Sequence, residues 1–61
     1  MNARKLSDAS LAWTINDLRE VIEAQEAMIL VGHRCPKLGQ YWDDLFACTT
    51  ERKRRARKAV A

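Results

Sequence analysis

The sequence predicts an all-α protein, an antiparallel two-helix hairpin that dimerises into a four-helix bundle. Two long stretches carry apolar residues at helical spacing, and a short segment with Gly32 and Pro36 joins them, which predicts the hairpin. The apolar residues are too many for the one seam between two helices, which predicts the dimer rather than the alternative, a monomeric hairpin with a frayed second helix. The 61 residues form one small domain. Within residues 1–61 we expect helix one over about 7–31, the link over 32–36 and helix two over about 37–58.

The first predicted helix has a marked beginning and end. Ser7 can cap its N-terminus, because the hydroxyl can accept a hydrogen bond from a backbone N–H that has no partner within the helix. Leu6 and Leu11 flank this cap at the spacing of a hydrophobic staple. Gly32 follows the apolar run, where a helix favours a left-handed residue. We therefore expect a helix of about 36 Å, preceded by a frayed lead-in that begins at Met1.

An apolar stripe follows the first helix at alternating steps of four and three residues. Gln25 interrupts this stripe. A polar residue at such a position can fix the register between helices, or it can lie half-exposed at the edge of the seam, and we favour the second interpretation. The stripe consists of Leu11, Ile15, Leu18, Ile22 and Ile29.

The second predicted helix begins near Pro36 or Leu38, because proline is tolerated in a first helical turn. Its apolar face comprises Leu38, Tyr41, Trp42, Leu45, Phe46 and Thr49. Together the two helices predict a shared core and dimer interface. The residues expected to build it are Leu11, Ile15, Leu18, Ile22, Ile29, Leu38, Trp42, Leu45 and Phe46.

The net charge of +3 is divided unevenly along the chain. Residues 1–50 carry five basic and seven acidic side chains, whereas residues 51–61 carry six basic and one acidic. The longest apolar run, Ala27–Val31, is far shorter than the ~20 residues that cross a bilayer. The first ten residues lack the apolar region of a secretory signal. We expect a cytoplasmic protein without a membrane partner.

Few side chains could carry chemistry. A structural zinc site normally has four ligands with paired spacing, and only His33, Cys35 and Cys48 are candidates. A pair of Cys35 and His33 has no third orienting group and no oxyanion hole. Cys48, within the second helix, is expected to be a small buried side chain. We therefore expect no metal, no cofactor and no catalytic residue, and a protein that is not an enzyme.

The basic run at the end of the second helix is the sharpest functional signal. Six cations in seven positions attract phosphate groups, which predicts contact with nucleic acid. The alternatives are a solvated helix end, where cations complement the helix dipole, and a surface for an acidic protein partner. The candidate contact residues are Arg52, Lys53, Arg54, Arg55, Arg57 and Lys58.

The stretches TINDLREVIEAQE and YWDDLFACTTERKRRARK, joined by GHRCPKLG, resemble the small helical accessory proteins of lambdoid bacteriophages. Those proteins are encoded in early-region clusters between the recombination and excision genes. The resemblance covers most of the chain and includes no catalytic motif. It implies a viral protein of the host cytoplasm that modulates phage development or host physiology by binding. The leading hypothesis is a regulatory protein that binds another protein, and the alternative is a nucleic-acid-binding protein.

Overall fold

Two helices of equal length pack side by side and run in opposite directions. The computed structural model describes residues 2–60, and the side chains of residues 2–58, so positions 1 and 61 of the predicted domain lie outside the described residues. A short 3-10 turn at Ala3–Lys5 precedes α1 (Asp8–Leu30), which is followed by α2 (Leu38–Val60). Within the described range no strand occurs, and the predicted all-α hairpin is confirmed. The molecule is a rod of 47 × 16 × 15 Å.

Side-chain and backbone hydrogen bonds define both ends of α1. Ser7 is the N-cap, and its Oγ accepts a hydrogen bond of 3.1 Å from the backbone N–H of Ser10. At the other end Gly32 adopts a φ of +94°, in the left-handed region that favours glycine. The backbone N–H groups of Gly32 and His33 donate to the carbonyls of Ile29 and Met28, each at 3.0 Å. This pair of bonds is a Schellman motif, which satisfies carbonyls that the helix end would otherwise leave unpaired.

The link between the helices covers residues 31–37, slightly more than the expected 32–36. The backbone N–H of Leu38 donates to the carbonyl of Cys35 at 3.1 Å, so the turn after Pro36 leads directly into α2. Further along, the hydroxyl of Thr49 donates to the carbonyl of Leu45 at 2.9 Å. This bond gives the hydroxyl a partner inside the helix, and α2 continues through Thr49 without interruption.

The core lies between the two helices and is built mainly by α1. Leu11, Ile15, Leu18 and Ile22 are buried, as their spacing predicts. From α2 the principal contribution is Cys48, which is fully buried among them, as expected of a small apolar side chain. Partly buried side chains complete this core: Leu6, Tyr41, Leu45 and Ala47.

The segment before α1 is part of the core rather than a frayed lead-in. Ala3 is buried and belongs to the same cluster as Leu11 and Cys48. Leu6 packs against this cluster. The expectation of a frayed segment was therefore wrong for residues 3–6, because their apolar side chains cover an end of the seam that two helices alone would leave in water.

Three residues expected in the core do not enter the core of the single chain. Ile29, Trp42 and Phe46 are exposed, whereas Leu38 and Leu45 are partly buried. Trp42 and Phe46 are exposed because of the orientation of the second helix about its axis. The buried Cys48 and Glu51 define the side that faces α1, and Trp42 and Phe46 lie on the opposite side. For Ile29 the reason is position, because it lies in the last turn of α1. Their predicted role in a dimer interface stays a prediction.

Candidate functional site

The side of α2 that faces away from α1 carries a continuous line of aromatic and cationic side chains. We call it the outer stripe, and all of its members are exposed. With 100° between successive residues of a helix, its members lie within an arc of about 80°. The outer stripe consists of Trp42, Phe46, Thr50, Lys53 and Arg57.

The outer stripe is aromatic in its first half and cationic in its second half. The exposed fraction is 49% for Trp42 and 73% for Phe46, which is high for large apolar side chains. Two shallow grooves border the stripe. One lies between α2 and the N-terminal segment and includes Phe46 and Thr50 in its lining, and the other is lined by Thr50, Lys53, Arg54 and Arg57. A partner that follows α2 would therefore meet aromatic rings first and cations about 16–22 Å further along.

Two further apolar groups are exposed elsewhere on the rod. Trp13 lies on α1 with 68% of its surface exposed. Leu30 and Val31 protrude at the tip of the hairpin, beside the partly exposed Met28 and Ile29. The apolar surface of the single chain is therefore spread over an outer face of each helix and over the tip.

A charged network at the open end of the hairpin uses part of the basic run. The carboxylate of Glu51, which is buried, accepts two hydrogen bonds from Arg54, from Nε at 2.8 Å and from Nη2 at 2.7 Å. It also accepts one from Nε of Arg55 at 2.7 Å. These bonds follow the i,i+3 and i,i+4 spacings at which side chains meet on one helix face. Glu51 was missed in the sequence analysis as a partner of the basic run, although its spacing from both arginines signals the pairs.

Arg55 extends this network across to the other helix and to the N-terminal segment. Its Nη1 donates to Asp8 at 2.7 Å. Its Nη2 donates to the backbone carbonyl of Leu6 at 2.7 Å and to that of Arg4 at 3.3 Å. One guanidinium group therefore connects Glu51, the first turn of α1 and the segment before it. Arg55 therefore joins α2 to α1 and to the N-terminal segment at the end of the hairpin opposite the link.

The network perturbs the acid–base properties of its members. Hydrogen bonds from Arg54 and then from Arg55 lower the pKa of Glu51 from its ordinary value to about 2. The same pairs raise the pKa of both arginines, for Arg55 through Glu51 first and Asp8 second. The carboxylate and both guanidinium groups are therefore charged throughout the physiological pH range, and the network persists there.

The basic run is therefore divided between internal and external roles. Arg54 and Arg55 both form ion pairs with Glu51, although Arg54 also remains exposed. The remaining four candidates are exposed, but their directions on the helix differ, because only two of them belong to the outer stripe. These four are Arg52, Lys53, Arg57 and Lys58.

The side chains considered for metal binding or catalysis do not come together. His33 is exposed, and Cys35 lies in the link, where its thiol donates to the carbonyl of Gln25 at 3.6 Å. Cys48 is buried on the inner side of α2, where burial first and the charge of Asp44 second raise the pKa of its thiol. Among the described residues, no group of three or more His, Cys, Asp or Glu side chains could hold a metal ion.

Within the part of the chain that the structure describes, neither helix has an apolar stretch long enough to cross a bilayer. Comparisons of the chain with models of protein families, with curated proteins and with solved structures found no match. The resemblance to accessory proteins of lambdoid phages therefore stays a prediction.

Proposed function

We propose that this chain is a non-enzymatic protein-binding module that acts as a homodimer. The observation that carries the proposal is the exposure of three of its four aromatic side chains, Trp13, Trp42 and Phe46. Aromatic residues, and tryptophan above all, dominate the energetics of protein interfaces. Burial of such a side chain contributes about 1.5–3 kcal/mol, so the single hairpin leaves a large stabilisation unused.

The size of the chain supports the homodimer. A domain of this length buries a smaller fraction of its surface than a larger domain does, and oligomerisation is a common way to compensate. Two hairpins that pack their exposed faces together form a four-helix bundle, and two-fold dimers are the commonest assembly. By its resemblance to lambdoid phage accessory proteins, the module would act in the host cytoplasm and regulate phage development or host physiology through a protein partner.

Sedimentation of the full chain over a range of concentrations tests the homodimer. We expect a mass twice the 7.0 kDa of one chain at the higher concentrations. An association driven by apolar burial persists when the salt is raised from roughly 0.05 M to 1 M, because screening weakens only the charge interactions. A single-chain mass at every concentration would contradict the homodimer.

Nucleic-acid binding is the second candidate, favoured by the four exposed cations of the basic run that do not pair with Glu51. Binding of the full chain to labelled duplex DNA over a salt series tests it. The affinity falls as salt is added, and each phosphate contact adds ~0.9 to the magnitude of the slope of log affinity against log salt concentration. Four cations therefore give a slope with a magnitude of at most ~3.6. Substitution of Lys53 and Arg57 by Gln would lower that slope without unfolding the hairpin, because both are exposed. No binding at low salt would exclude this candidate.

A further inference from the structure

We propose that the outer stripe is covered by α2 of a second copy, with the two helices antiparallel and a two-fold axis beside Thr49 and Thr50. The inference rests on the proposed function, since it requires a homodimer, and it specifies the surface and the register. Because the outer stripe faces away from α1, the two α2 helices lie in the middle of a row of four helices, and this row replaces the four-helix bundle. In this arrangement a residue of one copy faces a residue of the other copy, and the two residue numbers add up to about 99. The aromatic half of each outer stripe then meets the cationic half of the other.

The outer stripe is complementary to itself only in this direction. Trp42 faces the partner's Arg57, and Phe46 faces the partner's Lys53. A cation over the face of an aromatic ring is attracted by the ring electrons, and tryptophan is the strongest acceptor. At the centre the exposed Thr50 is short enough to let the two helices approach each other closely. The two-fold axis forms each of these two contacts twice, so the dimer has four ring–cation pairs.

The distribution of charge along the rod selects the same direction. The open end, formed by residues 2–8 and 51–58, carries eight basic and two acidic side chains, a net +6. The remaining part carries three basic and six acidic side chains, a net −3. An antiparallel pair places the positive end of each copy beside the negative part of the other. A parallel pair would bring the two positive ends together, which costs electrostatic energy.

One full side of the rod offers slightly less than the area that a specific dimer typically buries. One side of the rod measures 47 Å by about 16 Å, which offers an area on the order of 750 Å². A stable protein complex buries about 800 Å² per partner. A nucleic acid fits the stripe less well, because a single strand needs a cationic groove that runs beside its aromatic platforms. Here the rings and the cations occupy separate halves of the helix.

The two tryptophans provide the test, because they lie on different helices and only Trp42 belongs to the outer stripe. The variant Trp13→Phe keeps Trp42 as the sole reporter, and Trp42→Phe keeps Trp13. Fluorescence emission is recorded on dilution, and sedimentation gives the mass of each sample. We expect the emission of Trp42 to shift to longer wavelength as the dimer dissociates, and the emission of Trp13 to stay constant. Circular dichroism checks that both variants keep their helices.

Oxidative crosslinking tests the register independently. In a Cys35→Ser background, Thr50→Cys lies beside the two-fold axis, where the Cα atoms can approach within the ~7 Å that a disulfide needs. The matched control Leu30→Cys is also exposed but lies at the tip of the hairpin. Cys48 can remain, because it is fully buried. We expect a covalent dimer from Thr50→Cys and none from Leu30→Cys.

The possible failures are distinguishable. A dimer in which the emission of Trp13 shifts instead, or in which only Leu30→Cys crosslinks, would overturn this surface and leave the homodimer intact. A constant single-chain mass would overturn both the homodimer and this surface. A dimer that survives with both Trp42→Ala and Phe46→Ala would also refute the assignment, because the aromatic half of the stripe would then be dispensable.

Discussion

Truncation of two isoleucines on α1 separates the core from the exposed part of the same apolar stripe. Ile15 and Ile29 both belong to the stripe that the sequence predicts, and both are in α1. Ile15 has an exposed fraction of 0% and packs in the cluster with Leu11, Leu18 and Cys48, whereas Ile29 has an exposed fraction of 44%. We expect Ile15→Ala to lower the free energy of unfolding far more than Ile29→Ala.

The magnitude follows from the burial of each side chain. Removal of a buried isoleucine side chain down to alanine costs 2–5 kcal/mol, because apolar contacts are lost and a cavity remains. A chain of this length has a total stability of roughly 3–9 kcal/mol, so the Ile15→Ala variant is expected to be close to unfolding. For a domain of this size 1 kcal/mol corresponds to roughly 8 °C in Tm, so the expected loss is at least ~15 °C. For Ile29→Ala we expect less than ~8 °C, from a loss below ~1 kcal/mol.

Thermal denaturation followed by circular dichroism at 222 nm measures both variants beside the native chain, all at one protein concentration. Equal losses for the two variants would refute the reasoning, because the core would then extend along the whole stripe. Repetition at a higher concentration adds a second result. A loss for Ile29→Ala that changes with concentration would place this side chain in the predicted dimer interface, since the stability of a dimer depends on the concentration of its subunits.

Three further predictions concern the charged network and the glycines. Folding lowers the pKa of Glu51 from 4.5 to about 2, so its ion pairs stabilise the fold fully above about pH 4.5. This stabilisation is lost as the pH falls through about 2. Glu51→Gln should remove that part of the pH dependence of Tm. Arg55→Ala should lower Tm and expose the segment before α1 to proteolysis, whereas Lys58→Ala, from the same run but exposed and outside the outer stripe, should leave both unchanged. Gly32→Ala should destabilise the chain by about 1–2 kcal/mol, because alanine rarely adopts the positive φ of this residue. Gly39→Ala should stabilise the chain by up to about 1 kcal/mol, because Gly39 lies in a helix and has open space around it. Urea denaturation measures both effects.

The ends of α1 could be predicted from the sequence because the interactions that form them are local. The cap at Ser7 and the left-handed Gly32 each need only a few neighbouring residues, and the structure has both. The buried half of the α1 stripe was predicted for a similar reason, since one strong periodicity defines one face. These are features in which residues less than about two turns apart determine the outcome.

The orientation of α2 could not be predicted in the same way. Its apolar residues cover more than half of the helix circumference, so periodicity alone does not say which of them face α1. Cys48 and Glu51 are buried, while the larger Trp42 and Phe46 are exposed. The burial of Cys48 was expected, whereas hydropathy gives no reason to rank the carboxylate of Glu51 above two aromatic rings.

The sequence by itself determined two helices, their approximate ends, the buried face of α1 and the concentration of positive charge at one end of the chain. Only the tertiary structure decided how that charge is used. Asp8 and Arg55 are 47 residues apart and meet at 2.7 Å, because the hairpin brings the start of α1 beside the end of α2. The same packing buries Glu51, pairs Arg54 and Arg55 with its carboxylate and leaves Lys53 and Arg57 in line with two exposed aromatic rings. Periodicity specifies which residues share a face of one helix, whereas contacts between distant segments specify which of those faces is buried.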